Sequence, residues 1–340
     1  MASSLVPDTL REYGELTRTA LRDYLPAREP RRYLYDLIAD YPERGGKMMR
    51  PSLCIATARA FGARREEALL TAVSIELLHN ALLIHDDIQD ESEERRGRPT
   101  LQVLHGIPLA LNAGDTLTLM SLRPLLENRE LIGDRLTLRI IEETERMALE
   151  CAEGQALELG WRRDNAATLN EEDYLEMVLK KTCWLATIHP IRVGALIGSR
   201  DTANLDHFSL FGFLLGATFQ IQDDLLNLVA DQPYGKELNG DIWEGKRTLM
   251  LIRLFGQTSV EERAQLSKLM SLSRAQRRAC DISWIRRLMD KYGCVEYARD
   301  IAHGLAGAAR HEFSQLAGYL PDSRDKQFLE EMVNWVIEQP

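Results

Sequence analysis

An all-α, single-domain fold follows from three features of the sequence. Apolar residues recur at three- and four-residue steps almost throughout, β-type alternation is scarce, and no tract rich in Pro, Gly or Ser divides the chain. The 340 residues are enough to bury a large core. Residues 1–340 therefore read as one helical domain, with a flexible lead over residues 1–8.

In order, Leu10, Tyr13, Leu16, Ala20 and Tyr24 share a face of the first helix, which Pro26 closes. AREPRR (27–32) is a loop, and GGKMMRP (45–51) sets Lys47 and Arg50 one turn apart at the start of the next helix. From Ala63 to Arg96 no Gly or Pro intervenes, and Val73, Leu77, Ala81, Ile84 and Ile88 make an apolar stripe. RRGRPT (95–100) is the loop after it. Helical periodicity then covers 108–127, 130–160, 171–197, 205–231, 246–255, 259–270, 281–291, 294–318 and 324–338. The loop at 231–248 carries three glycines, Lys236, Lys246 and Asp241.

Composition narrows the function. A formal net charge of −10 argues against nucleic acid held by a general basic field; an anion would need local cations or a bridging metal. Cys54, Cys151, Cys183, Cys280 and Cys294 are scattered without a CxxC pair, which fits reduced thiols in the cytoplasm. The segment MASSLVPDTLREYGEL has no signal-peptide pattern, and no apolar run approaches bilayer-spanning length, so stable membrane insertion is not expected.

Two acidic clusters carry the chemistry. The first lies in LLIHDDIQDESEERRGRPT (82–100), where Asp86 and Asp90 fall within about 40° of each other and of upstream His79 at 100° per residue. Asp86 and Asp90, one turn apart, can both offer oxygen to a hard cation such as magnesium. Taken alone, this cluster is better accounted for by a solvated helix end paired with Arg95 and Arg96. In FQIQDDLLN (219–227), Gln220, Asp223, Asp224 and Asn227 share a face below the apolar run LFGFLLGATFQI. A carboxylate pair there must be paired, protonated or metal-bound. Gly212 and Gly216 read as points of close helix packing. Together the clusters suggest two walls of one cavity, with metal ions clamping a diphosphate between them. Lys47, Arg50, Arg95, Arg96, Lys181, Lys236 and Lys246 are the cations available to such an anion.

With GGKMMRP, HNALLIHDDIQD, RRGRPT, KKT, FQIQDD and two GK dipeptides in this order, the chain resembles the trans-isoprenyl diphosphate synthase (polyprenyl synthetase) family. EGQALELGWRRD and FQIQDDLLNL are similar to its geranylgeranyl type. The resemblance implies a helical bundle around a central apolar cavity, working as a homodimer. It implies condensation of isopentenyl diphosphate with dimethylallyl, geranyl or farnesyl diphosphate. Three magnesium ions would be held by Asp86, Asp90 and Asp223, with Asp87 and Asp224 as further ligands or their partners. Arg95, Lys181 and Lys246 would meet the allylic diphosphate, and Lys47, Arg50, His79 and Arg96 that of isopentenyl diphosphate. Lys236 adds a substrate contact, Thr182 and Gln220 would face the allylic cation, and the 231–248 region would close over the site.

Farnesyl-type members carry an aromatic plug four or five positions before the first aspartate. Here those positions are Leu82 and Ala81, and the deeper wall candidates Thr118, Leu119 and Ala152 are modest in size. A twenty-carbon product is expected, with longer ones open. One departure is Asn227 in the second motif. DDLLNLVAD approaches the metal motif of class I terpene cyclases, with Asn227 and Asp231 at variant positions. A cyclase and a non-catalytic helical subunit are thus the alternative readings. Lys47, Arg50 and His79, which a cyclase does not need, favour chain elongation.

Overall fold

The computed structural model of the chain describes residues 4–229 and 237–338. Asp231, Lys236 and the first part of the 231–248 stretch lie outside the described residues. The first half contains α1 (Leu5–Leu21), α2 (Asp36–Glu43), α3 (Met49–Ala60), α4 (Arg65–Asp90), strands β1 (Glu94–Arg95) and β2 (Arg98–Pro99), α5 (Leu101–His105), α6 (Ile107–Met120), α7 (Leu122–Glu127), α8 (Arg129–Ile132) and α9 (Asp134–Arg163). The second half contains α10 (Glu171–Val178), a π-helical segment (Leu179–Ile188), α11 (His189–Gly198), α12 (His207–Val229), α13 (Gly240–Glu244) and α14 (Leu249–Gln257). It ends in α15 (Val260–Met270), α16 (Ala279–Lys291), α17 (Cys294–Leu316) and α18 (Arg324–Ile337). The all-α expectation holds.

Four local readings need correction. The flexible lead over 1–8 is too long, because α1 already begins at Leu5 and Val6 packs into the core with Leu10 and Tyr13. Lys47 lies ahead of α3 rather than in its first turn, since Met48 adopts a left-handed conformation with φ 54° and the helix begins at Met49. RRGRPT is part of a small antiparallel hairpin that pairs Glu94 with Pro99 and Arg95 with Arg98. Its two turn residues, Arg96 and Gly97, both have positive φ (53° and 71°), the form that two-residue hairpins favour. Finally, α4 contains a stretch long and apolar enough to cross a membrane, and 72% of that stretch is buried within the protein.

That burial defines the architecture, because α4 feeds three apolar clusters at once. Ala72 and Ile75 join the cluster of α1, α3, α11 and α18. Leu78 joins that of α9, the π-helical segment, α14 and α16. Val73, Leu77, Ala81 and Ile84 join α2 and α6. A helix that packs apolar residues on several sides belongs at the centre of a bundle; its exposed residues are confined to its two ends, Arg65 and Glu66 at the start and Gln89 in the acidic last turn.

The π-helical segment is the second positioning device. A Cβ on Gly212 would come within 2.9 Å of Ile188 Cα, and one on Gly216 within 2.5 Å of Thr187 Oγ1, so α12 lies directly against the segment. On its other side a Cβ on Gly154 of α9 would sit 2.2 Å from the Lys181 nitrogen. Backbones held this close leave the segment little room to shift. π-Helical turns concentrate at functional sites, and this one carries Lys181 and Thr182.

His189 follows at the start of α11, 1% exposed, with Nε2 3.0 Å from Thr144 Oγ1. Burial pushes its pKa from 6.5 down to about 4, against the opposing charge of Glu143. Between those values the unfolded chain binds more protons than the folded one, so stability falls as pH drops through the window. In urea unfolding, His189→Gln should therefore retain about 2 kcal/mol more of its neutral-pH stability at pH 5 than the wild type does. An equal acid loss in both proteins would acquit His189.

Candidate active site

The last turns of α4 end in three carboxylates, and each meets a cation brought by another element. Lys181 Nζ lies 3.2 Å from Asp86 Oδ1 and also bonds Glu158 of α9. Gln155, on the same helix as Glu158, reaches Asp86 at 3.4 Å. Asp90, 1% exposed, is paired with Arg162 and with Lys246, whose Nζ is 2.7 Å from Oδ2. Lys246 also lies 2.8 Å from Glu244 and 3.8 Å from Asp241. Burial opposes a charge on Asp86, but Lys181, Lys246 and Arg95 outweigh it and hold its carboxyl well below the usual carboxylate range. Desolvation likewise disfavours charged Lys181, yet Asp86, Glu158 and Asp90 keep its ammonium above the usual lysine range.

Asp87 faces the other way. Its buried carboxylate accepts from Arg95 Nη2 and from the Tyr41 hydroxyl, each at 2.5 Å. Burial raises its pKa despite Arg95. Asp87 thus anchors Arg95, whose guanidinium also stands 3.6 Å from Asp86, and is turned away from the side on which Asp86 and Asp90 meet their lysines.

On α12 a relay of hydrogen bonds organises the second cluster. Thr182 Oγ1 donates to Gln220 Oε1 at 2.8 Å, Gln220 Nε2 donates to Asp224 Oδ1 at 2.7 Å, and the Tyr174 hydroxyl donates to Asp224 Oδ2 at 2.9 Å. Burial, helped by neighbouring Asp223, pushes the Asp224 carboxyl up to about 7 against these donors. Asp223 is half-buried beside it. Asn227 accepts from the Asp241 backbone N–H at 3.1 Å and donates to the Glu237 carbonyl at 3.2 Å. An amide can do both where a carboxylate can only accept, so Asn227 ties α12 to the start of α13.

Consecutive residues join the walls, Lys181 reaching the first cluster and Thr182 the second. Lys246 adds a further link, since its charge acts on Asp86, Asp90 and Asp224. Among the described residues no three acidic, His or Cys side chains close around one point. Asp86, Asp90 and Asp223 are instead oxygen donors spread over two helices. That suits magnesium, which takes few carboxylates and fills its shell with water and phosphate oxygens.

A second basic group gathers beside the hairpin. Arg50 of α3, His79 and Glu76 of α4, and Arg96 of the turn act on one another electrostatically around the Glu76 carboxylate. Glu76 Oε2 is 3.4 Å from His79 Nδ1. Burial would raise the Glu76 pKa, but His79, Arg50 and Arg96 hold it below the usual range. Burial and Arg50 push His79 down to about 4, so the imidazole is neutral near pH 7. Arg96 Nη1 donates to the Tyr41 carbonyl at 3.0 Å, while exposed Lys47 rests 5.6 Å from the Trp335 ring centre. Two guanidinium groups around one carboxylate are an arrangement that could receive an anion.

The expected tail pocket is only partly assembled. Ala81 is fully buried in the cluster that holds Ala113 and Leu117 of α6, and Leu82 packs toward the cluster of Leu78, Met147 and Cys151. Thr118 is half-buried, with its hydroxyl spent on the Gly114 carbonyl. Leu119 and Ala152 are corrections: Leu119 is 70% exposed, and Ala152 lies on the outer side of α9. Each follows a buried residue closely in sequence, Leu117 and Cys151, and helical rotation carries it outward. A cavity of about 540 Å³ opens elsewhere, behind the first cluster, against Ile88, Ser92, Gln102, Trp243 and Arg274.

Sequence reasoning missed Tyr41, Glu76, Glu158, Arg162, Tyr174 and Glu244. Glu158 and Arg162 stand three and seven residues after Gln155 in EGQALELGWRRD, a readable helical face. Tyr41 and Tyr174 carry no local signal, because their roles exist only once distant helices meet.

The profile of the polyprenyl synthetase family matches residues 31–286. Over 338 residues the chain is 31% identical to the short chain isoprenyl diphosphate synthase of Methanothermobacter thermautotrophicus, covering 98% of each. It is 31% identical over 335 residues to the geranylgeranyl pyrophosphate synthase of Geoglobus acetivorans, covering 98% of this chain and 99% of that one. Its fold matches the crystal structure of geranylgeranyl pyrophosphate synthetase from Pyrococcus horikoshii Ot3 with a TM-score of 0.85 at 30% identity, over 98% and 99% of the two chains. Paired acidic helices, a lysine shared between them and these full-length likenesses lead to one conclusion: the chain belongs to the polyprenyl synthetase family.

Proposed function

We propose that the chain condenses isopentenyl diphosphate with an allylic diphosphate, giving a trans-polyprenyl diphosphate of twenty carbons or more. The observation that carries this reading is the reach of Lys181 and Lys246 to Asp86 and Asp90, with Thr182 bonded to Gln220 on the opposite wall. Divalent metal ions, three by family resemblance, would be held by Asp86, Asp90 and Asp223 and supply the pull on the leaving diphosphate.

The chain's own groups perform the rest. Arg95, Lys181 and Lys246 receive the negative charge that develops as the allylic C–O bond breaks. Gln220, its amide fixed by Thr182 and Asp224, would offer its carbonyl oxygen to the allylic cation. Arg50, Arg96, neutral His79 and Lys47 hold the diphosphate of isopentenyl diphosphate, whose double bond attacks the cation. The proton then lost passes to the departing diphosphate. This second anion site favours elongation over the cyclase reading.

We extend the proposal to a homodimer and to action in the cytoplasm. Leu119, Leu126, Leu138 and Leu149 are 55–70% exposed on α6, α7 and α9, an apolar surface suited to a second copy. The five unpaired cysteines suit a reducing compartment.

With magnesium, isopentenyl diphosphate and each allylic primer in turn, the purified protein should yield elongated diphosphates. Hydrocarbon from the allylic diphosphate alone would instead make it a cyclase. Asp223→Asn should lower kcat by about 100-fold or more without shifting the unfolding midpoint downward. Ala81→Phe should shorten the product toward fifteen carbons by chromatography of the dephosphorylated alcohols; an unchanged product would put the tail on the Leu82 side.

A further inference from the structure

α9 presents three polar side chains to the acidic end of α4, and the third has no assigned task. Gln155 reaches Asp86, Glu158 bonds Lys181 and Arg162 pairs with Asp90. The Asp90 carboxylate is fully covered and the Arg162 side chain is 17% exposed. Asp90 has a second cation in Lys246, and Lys246 has carboxylates of its own in Glu244 and Asp241. Arg162 has no such reserve: among the described residues its ion pair is with Asp90 alone.

Two further arginines stand close to it. Arg247 bonds the Ala166 carbonyl at 2.9 Å, the Gly245 carbonyl at 2.6 Å and Asn165 Oδ1 at 2.7 Å. Arg277 bonds the carbonyls of Met270 and Trp243. Neither has a carboxylate partner among the described residues, and both lie close enough to feel the charge of Arg162. Beside Arg162 there are therefore two guanidinium groups that, among the described residues, only carbonyl and amide oxygens satisfy.

We propose that Arg162 is a binding residue for the allylic diphosphate, which holds Asp90 as a counter-ion until metal and substrate arrive. The inference rests on the prenyl-transfer reading above. When Asp90 turns to a divalent ion, the largely covered guanidinium loses its anion beside two other arginines, an unfavourable state. A diphosphate, with paired oxygens matched to the guanidinium fork, replaces what was lost. Arg162 thus competes with the metal before the diphosphate binds and cooperates with it afterwards, so the two ligands favour each other's binding.

Isothermal titration calorimetry on the full chain, with magnesium alone and then inorganic diphosphate at saturating magnesium, tests this. Arg162→Gln should bind magnesium alone several-fold more tightly and diphosphate about tenfold more weakly. In steady-state assays its KM for the allylic diphosphate should rise by a similar factor, with KM for isopentenyl diphosphate unchanged. Arg162→Lys, which keeps the charge without the fork, should fall between the two proteins in diphosphate affinity, and it decides the matter should the glutamine variant not fold. Wild-type affinities for both probes in the variants, or an equal loss for both substrates, would overturn the proposal. Elongation by the wild type establishes the prenyl-transfer reading separately, so unaltered binding in the variants would remove only the role given to Arg162.

Discussion

Three carboxylates at the end of an apolar helix are tolerable only because each is neutralised from elsewhere in the chain. Lys181 comes from the π-helical segment, Lys246 from the turn after α13, Arg162 from α9 and Arg95 from the hairpin. An unpaired charge in such a place costs several kcal/mol, so these four elements are drawn to one point. The same condition explains how a site for a highly charged ligand survives in a chain whose overall charge is negative. The lysines and arginines gathered there, rather than net charge, are what an anion would meet.

The fold was legible because helical periodicity is a strong and repeated signal, and most predicted segments lie within a few residues of the observed helices. The misreadings share a cause. From 171 to 197 the pattern is continuous, so nothing in it distinguishes the π-helical stretch from its α-helical flanks; only the close approach of α9 and α12 backbones does. Arg95 and Arg96 look like loop residues, since a two-residue strand leaves no alternation to read. In the site, Asp86, Asp90, Gln220 and Asp224 were visible as acidic or amide groups on helical faces. Glu76 and Tyr174 were hidden, because a buried residue matters here through a partner on another element. Leu119 and Ala152 were chosen by size and place in the sequence, and neither reveals which way a side chain points.

The division of labour between α4 and α12 is physical rather than symmetrical. The first cluster is held by ion pairs to lysine and arginine, whereas the second is held by neutral donors, Tyr174 and Gln220, around a carboxyl whose charge is disfavoured by burial. One wall therefore keeps Asp86 ionised among its cations. Its opposite number offers fixed dipoles next to Asp223.

The hairpin between α4 and α5 has a consequence for how such a protein can diversify. Arg95 and Arg96 are neighbours in sequence, yet the first turns to Asp87 and Asp86 while the second, in its left-handed conformation, turns to Tyr41 and the Glu76 group. Arg44 locks this arrangement by donating to the carbonyls of Arg95, Arg98 and Pro99. On the proposed assignment of these two arginines, the distance separating two polar head groups is thereby set across one peptide unit. Substitutions along the helices would then change the oily end of a product while leaving the spacing of the reacting ends unchanged.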